Sequence, residues 1–107
     1  GKIKPVLVHQ RVEFALLSID QIINQAAKWL YMNAGQKSVP LVIRLIIGRG
    51  WGQGPAHSQS FENLFSMIPG LKVLSPTFPS DAKGMIVSAV EDKNPYQSRV
   101  PCNIPSI

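Results

Sequence analysis

Residues 39–60 constrain the fold most, because an apolar run there leads into a glycine-rich loop and a histidine. Positions 39–47 hold a single charged side chain, Arg44, so the run has no polar face. A strand of this kind is typical of a parallel sheet that is covered on both sides. His57 follows the carboxyl end of the strand, which is where open α/β sheets bind their ligands. We therefore expect any functional site to lie there.

The glycine-rich loop matches neither of the common phosphate-binding motifs. Counted from Gly50, the last glycine of G-x-G-x-x-G falls on Pro55, and no Gly-Lys-Ser/Thr follows. Glycines allow positive φ and close approach of another group. The loop is therefore either a surface loop or a ligand-approach loop, and the spacing favours neither.

Composition indicates one globular domain without a nucleic-acid partner. The chain has 107 residues, of which 45% are hydrophobic and 16% are charged. The formal charge of +5 results from eleven basic and six acidic residues, and no two basic residues are adjacent. Nucleic-acid binders more often cluster such residues on one face, so we expect no nucleic-acid partner.

The cellular setting is inferred from one cysteine and the hydropathy pattern. Cys102 has no second cysteine to pair with, which favours an intracellular compartment. No segment is long and apolar enough for a signal peptide or a membrane span. We expect a cytoplasmic protein that makes no membrane contact.

Hydrophobic periodicity predicts strands that alternate with helices. The expected elements are a short buried strand at 5–10, strands at 39–47 and 71–74, and helices at 14–32, at 59–67 and from Pro79 to about 93. Gly35 suits a left-handed cap after the first helix. This order implies right-handed crossovers and a three-layer α/β fold, with a parallel sheet flanked by helices. Residues 1–95 form this domain, and residues 96–107 show no usable period and are assigned to a divergent tail.

His57 is the main candidate for chemistry, although a structural role is also open. Ser58 and Ser60 lie beside it, and either can cap the second helix. No carboxylate can be assigned to orient the histidine, so a Ser-His-acid triad is not supported. One cysteine and two distant histidines also argue against an ordinary zinc site. Glu91 and Asp92 at the end of the last helix are either solvated or hold a cation with nearby carbonyls.

Four segments in uninterrupted order resemble a known family. They are PVLVHQRVEFALLSIDQIINQAAKWLYMNAG, VPLVIR, GQGPAHSQSFENLFSMIPGLKVLSP and DAKGMIVSAVEDKNP, within about residues 3–95. Together they resemble the transketolase-like pyrimidine-binding domain in the beta subunit of thiamine-diphosphate-dependent 2-oxoacid dehydrogenases. These subunits belong to the decarboxylating components of the pyruvate and branched-chain complexes.

The resemblance implies a cofactor site. Gln10 and Phe14 match positions beside the aminopyrimidine ring of thiamine diphosphate, with the aromatic side chain packed against that ring. His57 matches an active-site histidine that assists proton transfer or the acyl transfer to the lipoyl arm. A flat heteroaromatic ring suits stacking with a few polar contacts.

The resemblance also implies a potassium site and a partner subunit. In the family, backbone carbonyls and an Asp/Asn pair hold a structural potassium ion, at positions matching Val39, Leu41, Val42, Ala89, Asp92 and Asn94. An alpha subunit binds the diphosphate and magnesium. The beta subunit carries a further carboxyl-terminal domain.

Two departures from the family pattern bear on activity. The family's carboxylate that protonates the aminopyrimidine lies before the counterpart of residues 2–5, so we expect this chain to lack it. From residue 96 the chain leaves the family pattern. Whether the chain is an enzyme by itself therefore stays open.

Two functional hypotheses follow. The first is a truncated pyrimidine-binding domain of such a beta subunit, inactive alone and associating with itself, because open sheet edges favour homo-oligomers. The alternative is a non-catalytic oligomeric binding or assembly module that keeps the fold.

Overall fold

A four-stranded parallel sheet organises the chain. The computed structural model describes residues 3–48, 52–92 and 95–101, the last six by their backbone alone. The strands are β1 (Val6–His9), β2 (Val42–Ile47), β3 (Lys72–Leu74) and β4 (Tyr96–Pro101), in the order β1-β2-β4-β3. All three pairings are parallel, and helical segments connect successive strands. The predicted α/β class is confirmed.

Strand β2 lies between β1 and β4 and carries the centre of the core. Val42, Ile43 and Leu45 are each at most 2% exposed, and because neighbouring residues point to opposite faces, both faces of β2 are covered. The strand was therefore correctly predicted to be covered on both faces, although it begins at Val42 rather than at position 39. The core cluster joins β2 to the flanking helical segments through Val12, Ala15, Ile22, Ile43, Leu45 and Phe65.

The predicted helix over 14–32 is helical but irregular. It consists of a 3₁₀ segment (Val12–Ser18), a π-helical segment (Gln21–Ala26) and the short helix α1 (Trp29–Met32). It ends where glycine was expected to cap it: Gly35 has a φ of 77° and donates to the Leu30 carbonyl at 2.8 Å.

The second helix departs from its predicted start, whereas the third begins where it was predicted to begin. The second helix, α2, spans Glu62–Ser66 rather than 59–67, and a separate 3₁₀ turn spans Ala56–Ser58. Neither predicted serine caps α2, because the Ser58 hydroxyl donates to the Gly54 carbonyl and the Ser60 hydroxyl to Glu62. Helix α3 (Pro79–Glu91) begins at the predicted proline. No helix in the described part of the chain is long and apolar enough to cross a membrane.

The sheet has one strand more than the sequence predicted. Residues 96–101, assigned above to a divergent tail, form β4 and lie between β2 and β3. Their sequence shows no apolar–polar alternation that would predict a strand. The segment is held as a strand by backbone pairing with β2 on one side and with β3 on the other. Pairing, not side-chain pattern, makes this segment a strand.

Strand β1 was predicted to be buried, and this was wrong. It pairs only with β2, and Val6, Leu7 and Val8 are between 44% and 48% exposed. An apolar run therefore forms an edge of the described sheet, with one side of its backbone ladder open.

Gly70 permits a close contact between the turn after α2 and the first helical segment. Its φ is 95°, and a Cβ atom at this position would lie 2.0 Å from the Ala27 carbonyl oxygen. Lys28 reinforces the contact by donating from Nζ to the Pro69 carbonyl at 3.1 Å.

We expect Gly70→Ala to lower the free energy of unfolding by about 3 kcal/mol, since it adds a backbone clash to an unfavourable φ. Gly84→Ala is the matched control, because Gly84 lies inside α3 and a Cβ atom added there would lie in open space. The control should gain about 0.5–1 kcal/mol from helix propensity. Urea unfolding measures both, and equal stability of the two variants would contradict the packing described.

Candidate functional site

The parallel register brings the carboxyl ends of β1 and β2 to one edge of the sheet. His9, the last residue of β1, is paired with Leu45 near the end of β2. After β2, Gly48 donates its N–H to the Gln59 carbonyl at 2.9 Å, so the chain returns to this edge. The 3₁₀ turn that carries His57 therefore lies beside the segment that leaves β1.

Phe14 and His57 meet at this edge. Their ring centroids are 5.7 Å apart, with the ring planes tilted by 42°. Phe14 is 41% exposed, so part of its ring is open to a ligand. Two of the three side chains that the sequence assigned to one site are therefore brought together.

A carboxylate that sequence analysis missed contacts the histidine. His57 Nδ1 is hydrogen bonded to Glu13 Oε1, although the two residues are 44 positions apart. The 3₁₀ repeat of three residues per turn explains the placement: Val12 and Ala15 face the core, which leaves Glu13 and Phe14 toward the loop. One signal was available, because Glu13 is the first acidic residue of the chain and adjoins the predicted ring contact.

A second polar contact ties the same two segments together. The Arg11 guanidinium donates to Gln53 Oε1, and Arg11 is buried. Arg11 and Glu13 thus bind the loop at Gln53 and His57, with Phe14 next to them. These two side-chain contacts, Arg11 with Gln53 and Glu13 with His57, hold the loop against the first helical segment.

Two buried polar atoms near this edge have no hydrogen-bond partner among the described residues. They are Nε2 of His9 and Oε2 of Glu13. A buried carboxylate oxygen without a donor is energetically costly, so it marks a place where a ligand donor is favoured.

Gln10 directly follows β1 and is exposed. It lies at the same edge as Phe14, and no hydrogen bond joins its side chain to a described residue. Its assignment to the site stays a prediction.

The residues predicted to hold potassium lie at the opposite edge. Val42 is paired with Tyr96, which places Asp92 on the amino-terminal side of the sheet together with the start of β2. Asp92 is contacted by two ammonium groups: Lys72 Nζ lies 2.6 Å from Oδ2, and Lys4 Nζ lies 3.1 Å from the backbone carbonyl. Asn94 lies outside the described residues.

Other predicted ligands at this edge already have structural roles. The Val39 carbonyl accepts a hydrogen bond from the Leu41 N–H at 2.9 Å, and Ala89 is buried on α3. Across the described ranges, no group of three or more His, Cys, Asp and Glu side chains could hold a metal ion.

The fold and this edge define a family. The transketolase pyrimidine-binding domain matches residues 1–101, and the chain belongs to that family. The match includes the segment that forms β4. A split-gene transketolase, solved as an inactive beta4 tetramer, has the same fold with a TM-score of 0.69 at 20% identity. That comparison covers 96% of this chain and 30% of the transketolase chain.

The curated relatives that match this chain are named as beta subunits of oxidoreductases. The beta subunit of an acetoin:2,6-dichlorophenolindophenol oxidoreductase from Cupriavidus necator is 41% identical over 86% of this chain and 27% of its own length. The mitochondrial pyruvate dehydrogenase E1 beta subunit from Bos taurus is 44% identical over 87% of this chain and 26% of its own length. The chain thus spans about a quarter of the relatives it matches.

Proposed function

We propose that this chain supplies the aminopyrimidine-binding part of a beta-type subunit in a thiamine-diphosphate-dependent 2-oxoacid dehydrogenase, working with an alpha-type subunit. The observation that supports this most is the meeting of Phe14, Glu13 and His57 at the carboxyl edge of β1 and β2. Relatives at 41–44% identity are named as the beta subunits of an acetoin:2,6-dichlorophenolindophenol oxidoreductase and of a pyruvate dehydrogenase E1 component, which supports a beta-type subunit.

The residues present fit a flat heteroaromatic ring. Phe14 offers a partly exposed aromatic face, which suits stacking against such a ring. Glu13 Oε2 is a buried acceptor without a partner among the described residues, and an N–H donor on the ring would satisfy it. Gln10 adds an exposed amide at the same edge.

Each side chain then has a distinct role. Phe14 holds the ring by stacking, Gln10 supplies a polar contact, and His57 exchanges a proton with the substrate through its Nε2 atom. Bound thiamine diphosphate supplies the electron sink for decarboxylation. The chain's own residues orient the ring and move the proton.

A second candidate, a homo-oligomeric assembly module, is favoured by strand β1. An open parallel edge with half-exposed Val6, Leu7 and Val8 is a template for pairing with a second copy. The solved transketolase neighbour is itself a tetramer of beta chains. Self-association is compatible with either function.

We also propose that potassium competes with the ammonium groups of Lys4 and Lys72 for the oxygens of Asp92. Both lysines approach Asp92 within hydrogen-bonding distance. A monovalent cation bound at this edge must therefore displace or share with at least one of them.

Cofactor binding is tested by titrating the chain with thiamine diphosphate and magnesium in a calorimeter. We expect saturable binding, weakened about tenfold by Phe14→Ala, which corresponds to about 1.4 kcal/mol of lost stacking. Tyr31→Ala is the control, since Tyr31 is exposed on α1 away from this edge. A folded wild-type chain that does not bind would favour the assembly module.

Self-association is tested by size-exclusion chromatography with light scattering. We expect a dimer or larger, and we expect Leu7→Lys to shift it to a monomer because a charge disfavours edge pairing. Met67→Lys, at another exposed apolar position, should leave the assembly unchanged. A wild-type monomer at high concentration would refute the oligomer.

Cation binding is tested by melting in potassium chloride and in sodium chloride of equal ionic strength. We expect Lys72→Met to melt at least about 4 °C higher in potassium than in sodium, roughly 1 kcal/mol, because one competing ammonium group is gone. Lys83→Met on α3 should show the same difference in melting temperature between the two salts as the wild type. Asp92→Ala should show no such difference. Identical melting of Lys72→Met in both salts would rule out the site.

A further inference from the structure

Glu13 and His57 form a pair with unequal exposure. The Glu13 side chain is 13% exposed and that of His57 is 42% exposed. The carboxylate therefore lies on the inner side of the contact, and the imidazole lies between it and solvent. The largely buried Glu13 carboxylate thus holds one side of the imidazole, and the other side of the ring faces solvent.

We propose that Glu13 is the positioning residue for His57: its carboxylate accepts the hydrogen on Nδ1 and thereby keeps the neutral imidazole in the Nδ1–H tautomer. The lone pair then resides on Nε2. In a neutral imidazole, a ring nitrogen that donates to a carboxylate leaves the other nitrogen as an acceptor. The hydrogen bond made by one nitrogen therefore sets the tautomer. The inference rests on the proposed function only where Nε2 is assigned to proton exchange.

The neighbouring side chains leave this role to Glu13. The Ser58 hydroxyl donates to the Gly54 carbonyl at 2.8 Å, and the Gln59 amide donates to the Ala56 carbonyl at 2.8 Å. Neither is bonded to His57. Among the described residues, Glu13 is the one polar partner of the imidazole.

Arg11 strengthens the placement. Its guanidinium contacts Gln53 on the loop that carries His57, and Arg11 stands two positions before Glu13. Two contacts at different points of the loop fix its distance from the first helical segment and also restrict its rotation. The imidazole is then held in orientation against Phe14, whose ring centroid is 5.7 Å away.

Nitrogen NMR on the histidine-labelled chain tests the tautomer directly, without thiamine diphosphate. In alkaline buffer, where imidazoles are neutral, we expect His57 to show the Nδ1–H pattern, whereas free histidine favours Nε2–H. The His57→Gln spectrum assigns the signals, since the chain has two histidines. A wild-type His57 in the Nε2–H form would overturn the proposal.

Variants separate positioning from mere packing. Glu13→Met keeps the side-chain bulk but removes the acceptor, and we expect His57 to revert to the Nε2–H form. Glu13→Gln keeps one acceptor oxygen and should restore much of the Nδ1–H population, whereas Glu91→Gln, exposed at the end of α3, should change nothing. An unchanged Nδ1–H tautomer in Glu13→Met would refute the role of Glu13. If Glu13→Met fails to fold, the wild-type spectrum still decides.

This measurement is independent of cofactor binding. A chain that shows the Nδ1–H tautomer but does not bind thiamine diphosphate keeps the inference and loses the proposed function. A chain that binds the cofactor with His57 in the Nε2–H form refutes the inference and keeps the proposed function.

Discussion

The parallel pairing of β1 with β2 is the constraint on which the rest of the structure depends. Strand β2 is packed on both faces, so a shift of its register by one residue would move every side chain to the opposite face, among packing partners of a different shape. With the register fixed, His9 lies opposite Leu45 and both strands end at the same edge. The segment after β1 and the loop after β2 must therefore start side by side.

The polar contacts at that edge exploit this proximity. Glu13 and Arg11 are both largely removed from solvent, and burying charged groups costs free energy unless they find partners. Their contacts with His57 and Gln53 offset that cost and tie the loop to the first helical segment. The same contacts leave the Phe14 ring partly open, which is what a ring-binding site requires.

The two ends of the sheet differ in chemistry. The carboxyl edge combines an aromatic ring, an imidazole and a carboxylate, whereas the amino edge gathers the ammonium groups of Lys4 and Lys72 around Asp92. The first arrangement contains groups that are capable of stacking and of proton exchange. The second joins the end of α3 to β3 and to the segment before β1. In the described sheet, strand β1 is an apolar edge that pairs on one side only.

The sequence by itself determined the α/β class, the buried character of β2, the cap at Gly35, the start of α3 and the family, because these follow from local periodicity, turn chemistry and motif order. Tertiary structure alone decided that β1 is an edge and that residues 96–101 form a strand, since both depend on which backbone ladders are filled. It also decided that Glu13 meets His57. That contact joins residues 44 positions apart, and only the sheet register and the 3₁₀ turn bring them together.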